Sequence, residues 1–205
     1  MDVVMGVAPR QRREPSGLCV VEIDRRRGED RRWEEHYLVR HLERLAPGTK
    51  FPAMAARCGE VAKGVKDRTR SRPEVFVDAT GFGEPLIDQV EAAGDYSGVR
   101  TVFFTHGDRR TEEGGEVRLG KAWVVCKLQM LLQNGQLHLP RSPEAETLAE
   151  ELTEFEIQVA PDANDKYGAF RVGTRDELIT SLGLCVQRPP LGTVEYARMP
   201  GFGFR

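Results

Sequence analysis

The stretch Glu74–Pro85, EVFVDATGFGEP, constrains this chain more than any other. Val75, Phe76 and Val77 form a short apolar strand that delivers one carboxylate, Asp78, at its C-terminal end. Thr80, Gly81 and Gly83 then turn the chain, and a helix is expected over Glu84–Ala93 with Leu86, Ile87 and Val90 on one face. A carboxylate at the tip of a buried strand is costly unless a cation or a hydrogen-bond donor faces it. DATG is also good turn chemistry, so Asp78 can cap its own turn. What else faces Asp78 decides between a structural acid and a site.

The pattern before and after this stretch sets the fold class. Val3–Ala8 and Gly17–Asp24 read as strands, joined by the turn PRQRREPS. The charged connection RRRGEDRR, centred on Gly28, leads to Trp33–Leu45, whose period fits a strand or a helix; the hairpin punctuation before it favours a strand at least through Arg40, so the chain is expected to open as an antiparallel meander. His36 and His41 are five apart in that strand and are expected on opposite faces. Helix and strand then alternate. Phe51–Val65 is an amphipathic helix, Glu74–Asp78 and Val99–Thr105 are strands, and Gly107–Gly120 is a polar loop. Lys121–Gln133 is a helix stopped by Asn134-Gly135, followed by a short strand at Leu137–Leu139. Ser142 caps a helix that starts with Pro143, and its five glutamates predict a solvated outer face. Ile157–Val159 and Ala169–Val172 read as a hairpin, Thr174–Gln187 as the last helix, and 188–205 as a tail. The expected fold is α/β: a mixed central sheet of three antiparallel strands, then alternating helices and strands, flanked by helices.

A length of 205 residues fits one domain, expected over 1–187. No apolar run reaches the ~18 residues a membrane span needs, and no signal peptide is present. Cys19, Cys58, Cys126 and Cys185 form no CxxC pair. They read as buried free thiols in a reducing cytoplasm. Charge is uneven: residues 1–72 carry 17 Lys/Arg against 11 Asp/Glu, whereas 73–205 carry 13 against 21. A basic half beside an acidic half suits a protein that touches phosphate on one face and holds metal on another, and it also suits ordinary solvated surfaces. The chain has no GxxxxGK[ST] loop, GxSxG or HExxH, which argues against a P-loop ATPase, a serine hydrolase and a zincin.

Further acids stand at the start of the last helix, GTRDELITSLGL, where Asp176 and Glu177 fall in the first turn. Thr174 and Glu177 have capping-box spacing, and first-turn acids favour the helix dipole, so capping alone accounts for Glu177 better than for Asp176.

Three stretches, VFVDATGFGEPLID, KAWVVCKLQMLLQNGQLHLP and ANDKYGAFRVGTRDELITSLGLCVQ, together resemble the C-terminal nuclease domain of phage terminase large subunits, in the family's order from Val3 to about Gln187. The resemblance implies a ribonuclease H-like fold and a metal-dependent endonuclease that cuts double-stranded DNA during genome packaging. It implies two Mg²⁺ or Mn²⁺ ions, about 4 Å apart, held by carboxylates. The acids come from the first strand, the fourth-strand tip and the last helix. Carried over residue by residue, Asp78, Asp176 and Glu177 are the metal ligands, and Glu14, just before Pro15, is the second acid of the first-strand motif. Ala8, two positions after Gly6 in VMGVA, stands where the family has its metal-bridging Asp. A lost bridging ligand implies an impaired nuclease. Arg10, Arg12 and Arg13, beside the site, are expected to contact DNA phosphates, with Arg25–Arg27 in the hairpin helping. The resemblance also implies a terminase ATPase domain, a small terminase subunit and a portal as partners in a bacterial host cytoplasm, with no membrane. Two other readings stand beside it: a non-catalytic DNA-binding or packaging module on the same fold, and another ribonuclease H-like nuclease of resolvase or transposase type.

Overall fold

A computed structural model describes residues 2–10, 13–28, 32–81, 84–154 and 176–188. The expected hairpin at Ile157–Val159 and Ala169–Val172, the residues Arg12 and Thr174, and 189–205 of the tail lie outside the described residues.

The chain opens with β1 (Asp2–Ala8), β2 (Ser16–Arg27) and β3 (Trp33–Leu45), paired antiparallel in sequence. The arginines Arg25–Arg27, expected in the connection, extend β2 instead. Next come α1 (Phe51–Thr69), β4 (Glu74–Asp78), α2 (Glu84–Ala93) and β5 (Gly98–Thr105). The expected loop over Gly107–Gly120 is a hairpin, β6 (Arg110–Glu113) and β7 (Glu116–Gly120). Its turn uses Gly114 and Gly115, both at positive φ, and β7 alternates buried Val117 and Leu119 with exposed Glu116 and Arg118. This period-2 signal is only five residues long and sits among charges. The rest is α3 (Lys121–Gln133), β8 (Leu137–His138), α4 (Pro143–Glu154) and α5 (Glu177–Val186).

Among the described residues, eight strands form one mixed sheet in the order β6-β7-β5-β4-β1-β2-β3-β8. β1 lies in its interior, antiparallel to β2 and parallel to β4, and its residues from Val3 to Ala8 are buried. Such a strand reads as a continuous apolar run because both faces are covered. One face packs Met5, Val7, Leu18 and Val77 against α1 and α2; the other packs Val4, Cys19, Val21 and Phe76 against α3, α4 and α5.

The last helix is the centre of this second layer. All ten residues of α5 are buried, so it is apolar around its whole circumference. It lies directly on the sheet at two glycines. A Cβ on Gly6 would come within 2.0 Å of the Ser181 carbonyl oxygen, and one on Gly17 within 2.2 Å of that of Glu177. Gly183 allows the same closeness on the far side, against Val124 of α3.

Several local expectations change. Helix α4 does start as expected, with the Ser142 hydroxyl accepting from the Ala145 N–H at 3.2 Å. Ser142→Ala is expected to cost about 1 kcal/mol, a thermal shift of roughly 2–4 °C, read by calorimetry. Its glutamates are not all solvated, because Glu151 is buried against β3. Cys126 is exposed on α3, whereas Cys19, Cys58 and Cys185 are buried free thiols. A register shift between Val20 and Val21 pairs Val20 with His41 and Asp24 with His36, which returns the two histidines to one face. Among the described residues no helix is long and apolar enough to cross a membrane.

Candidate active site

Residue Asp78 closes β4 and is only 3% exposed. One carboxylate oxygen, Oδ1, accepts the Thr80 N–H at 2.9 Å, and Gly81 completes the turn at φ 84°. The Thr80 hydroxyl in turn accepts the Phe104 N–H at 2.8 Å, which ties the turn to the end of β5. Thus the turn-capping role read from DATG is present, but it uses only one oxygen.

The other oxygen, Oδ2, faces Arg10, whose guanidinium Nη1 lies 3.2 Å away. The Arg10 Nη2 lies 3.1 Å from Asp176 Oδ1 and donates to the Thr180 hydroxyl at 2.9 Å. Arg10 Nη1 also donates to the carbonyl of Pro9 at 3.3 Å, and the Arg10 backbone N–H donates to the Ser16 hydroxyl at 2.9 Å. One side chain just past β1 therefore joins the tip of β4 to the start of α5. Asp176 is the residue before α5 and makes no side-chain cap there, so its carboxylate is available to Arg10.

Electrostatics follow from depth. Burial pushes Asp78 upward from the ordinary carboxylate range, outweighing the opposing pull of Thr80 and Arg10. Burial also opposes the charge of Arg10, but Asp176 and Asp78 outweigh it and the guanidinium pKa rises. The two partners thus shift in the same direction for different reasons. The arginine, with 17% of its side chain exposed, keeps its charge at every pH of interest. Lys121, the first residue of α3, feels the same pair of acids; burial lowers its pKa, and Asp176 and Asp78 pull it back up.

The other expected site residues lie elsewhere. Glu177 turns away from Asp78 and meets Arg44 of β3, whose Nε lies 2.7 Å from Glu177 Oε1, close enough for an ion pair but not aligned as a hydrogen bond. Arg44 also pairs with Glu151 of α4. Burial and the neighbouring Glu177 push Glu151 up to about 7, against the pull of Arg44. α5 begins at Glu177 with Asp176 before it, and Thr174, the other half of the expected capping box, lies outside the described residues. Glu14 and Arg13 are exposed in the turn between β1 and β2. Arg25 reaches Asp2 at 2.8 Å, at the end of β1 opposite Ala8. Six residue steps along β1 place that end roughly 20 Å from the acids, so Arg25–Arg27 do not extend the arginine cluster at the site.

Sequence reasoning missed the inward role of Arg10 and the presence of Lys121 and Thr180. Arg10 carried a signal, since it lies two residues beyond Ala8 on the strand that should bring a third acid. Lys121 carried one only as a basic residue after a glycine.

Ala8 itself is fully buried at the end of β1. Register pairs Val7 with Val77, so the next step places Ala8 beside Asp78 on the face that carries Gly6 and α5. Asp78 and Asp176 are both engaged by Arg10. Among the described residues no group of three His, Cys, Asp or Glu side chains is arranged to hold a metal ion. These side chains do not fit a two-ion centre.

The sequence matches no protein-family model and no curated protein. The fold does match solved structures. The human cytomegalovirus terminase nuclease domain aligns over 90% of this chain and 81% of its own, at TM-score 0.58 and 11% identity. A manganese-soaked form of it aligns over 89% and 80%, at TM-score 0.55 and 12% identity. The large terminase nuclease domain of bacteriophage SPP1, with bound manganese, aligns over 90% and 85%, at TM-score 0.53 and 8% identity. The chain carries the ribonuclease H-like fold of the terminase nuclease domains.

Proposed function

We propose that residues 1–187 form a terminase-type nuclease domain that acts on double-stranded DNA in genome packaging and whose cutting activity is impaired. One observation carries this reading. Asp78 at the tip of β4 and Asp176 at the start of α5 meet around a single cation, at 3.2 and 3.1 Å. An acid pair gathered from distant elements at the C-terminal end of parallel strands is a placement for phosphodiester chemistry, not one that turn capping requires. The impairment follows from Ala8, which leaves the pair without the third carboxylate that hard divalent cations call for. Mg²⁺ or Mn²⁺ is the cofactor of the parent activity in this reading. A terminase ATPase domain, a small subunit and a portal are the partners, in the cytoplasm of a bacterial host.

The test is plasmid nicking in Mn²⁺. The unaltered chain is expected to cut little, and Ala8→Asp combined with Arg10→Gln, which takes the guanidinium off the acid pair, to cut more than ~100-fold faster, since a restored ligand should exceed the 10–100-fold that outer partners contribute. A folded Ala8→Asp/Arg10→Gln protein that neither cuts DNA nor binds a divalent ion would remove the nuclease reading. A non-catalytic module that binds duplex DNA through phosphate contacts is the second reading, favoured by the absence of an acid at position 8. Steep loss of duplex binding with salt, with no cutting by Ala8→Asp/Arg10→Gln, would select it.

A further inference from the structure

The acid pair already has its counter-ions. Asp78 and Asp176 face Arg10 directly, and Lys121 lies within their field. Two carboxylates against two side-chain cations is an electrically closed set, whereas two divalent ions would bring four positive charges to the same two acids. The guanidinium is also held at both terminal nitrogens, with two partners on each. Its terminal nitrogens meet Asp78, Asp176, the Thr180 hydroxyl and the Pro9 carbonyl, and its backbone is pinned by Ser16. A planar fork with this many partners is held much more firmly than a surface arginine. Removing it from a largely buried position would leave Asp78 unpaired at 3% exposure.

From this arrangement we infer that Arg10 is the resident cation of the site and excludes divalent metal from Asp78 and Asp176. Ala8 and Arg10 work together: the alanine withdraws the third carboxylate, and the arginine supplies the charge that the remaining two still need. The fold thereby keeps its acid pair without needing an ion to neutralise it. This rests on the assignment of Asp78 and Asp176 as the acid pair of the nuclease site, but it is a statement about metal and needs no DNA to test.

The probe is Mn²⁺ alone, in calorimetric titration and in thermal melts with Mn²⁺ or with EDTA. Four proteins are compared: the unaltered chain, Arg10→Gln, Asp78→Asn, and Ala8→Asp/Arg10→Gln. Glutamine is chosen because its amide can still donate to Asp78 without the charge. The unaltered chain is expected to bind no Mn²⁺ at this site, with equal melting temperatures in both conditions. Arg10→Gln is expected to bind one ion, and its melting temperature to rise by roughly 5 °C or more at about 100-fold excess over Kd. The double variant is expected to bind at least ~10-fold more tightly still. Mn²⁺ binding by the unaltered chain that disappears in Asp78→Asn would overturn the inference, and this comparison decides the matter even if Arg10→Gln fails to fold. A folded Arg10→Gln that gains no ion would overturn it as well. Failure here with cutting by Ala8→Asp/Arg10→Gln leaves the nuclease reading intact. Success here without cutting by Ala8→Asp/Arg10→Gln removes the nuclease reading and leaves the arginine lock.

Discussion

Gly6→Val is expected to abolish the folded state. The added side chain would begin 2.0 Å from the Ser181 carbonyl oxygen, 3.0 Å from Leu184 Cβ and 3.1 Å from Cys185 Sγ. Ordinary overpacking costs about 1–3 kcal/mol because side chains can move aside. Here the obstacle is helix backbone, and β1 is interior to the sheet, so α5 must leave its seat. Undocking a helix buried on every side forfeits ~1.5–3 kcal/mol for each large apolar residue it carries. Leu178, Ile179, Leu182, Leu184 and Val186 together carry about 8–15 kcal/mol, as much as the ~5–15 kcal/mol by which whole domains are stable. Loss of the cooperative melt and of soluble yield is the readout. The matched control is Gly64→Ala in α1, where an added Cβ meets nothing within 4 Å and a gain of up to ~1 kcal/mol is expected. A Gly6→Val protein melting within about 5 °C of the parent would show that α5 is not seated on β1.

Arg44→Met should be the most damaging single change of a charged residue. Arg44 stands between Glu151 and Glu177, and its removal leaves two buried carboxylates facing each other. Breaking a buried ion pair in this way costs about 3–5 kcal/mol, roughly 6–20 °C for a chain of this size. The effect should depend on pH with a definite sign. The folded-state pKa of Glu151 is raised from its model-peptide range to about 7. Between those values the folded protein holds more protons than the unfolded chain, so the contribution of Glu151 is greatest at low pH and declines as pH rises through about 7. Melting temperatures at pH 5 and pH 8 test this. Glu151→Gln should flatten the dependence, and Arg44→Met should steepen it by removing the one cation that opposes the shift. An identical pH slope in the parent and Glu151→Gln would rule the assignment out. The same triad holds the first turn of α5, so Arg44→Met should also displace Asp176 from Arg10.

Much of the fold was legible because its signals are local. The bounds of β4, α2 and α3 follow from apolar periodicity bracketed by Gly, Pro and Asn-Gly, and the structure has them at the expected residues. The antiparallel opening was legible from its charged turns. The β6–β7 hairpin was not, because five residues of alternation among charges look like a loop until β5 supplies a partner. The Gly-rich meeting of α5 with the sheet was half legible: Gly6 was noticed as part of a motif, not as the seat of a helix.

The candidate site divides in the same way. Sequence alone identified Asp78 and Asp176 as acids at the ends of their elements, because residue type and element ends are properties of short stretches, whereas only the resemblance to terminase nucleases singled out Ala8. It could not choose their partners. Arg10 stands 68 residues from Asp78 and 166 from Asp176. Whether its guanidinium points to DNA or into the acid pair depends on how β1, β4 and α5 are stacked. Glu177 is adjacent to Asp176 in the chain, yet the turn of the helix sends it to Arg44 instead. Local chemistry determined which charges the protein carries near the end of β4. Only the packing of distant elements decided which charge meets which, since an ion pair forms between neighbours in space and the chain encodes neighbours in sequence.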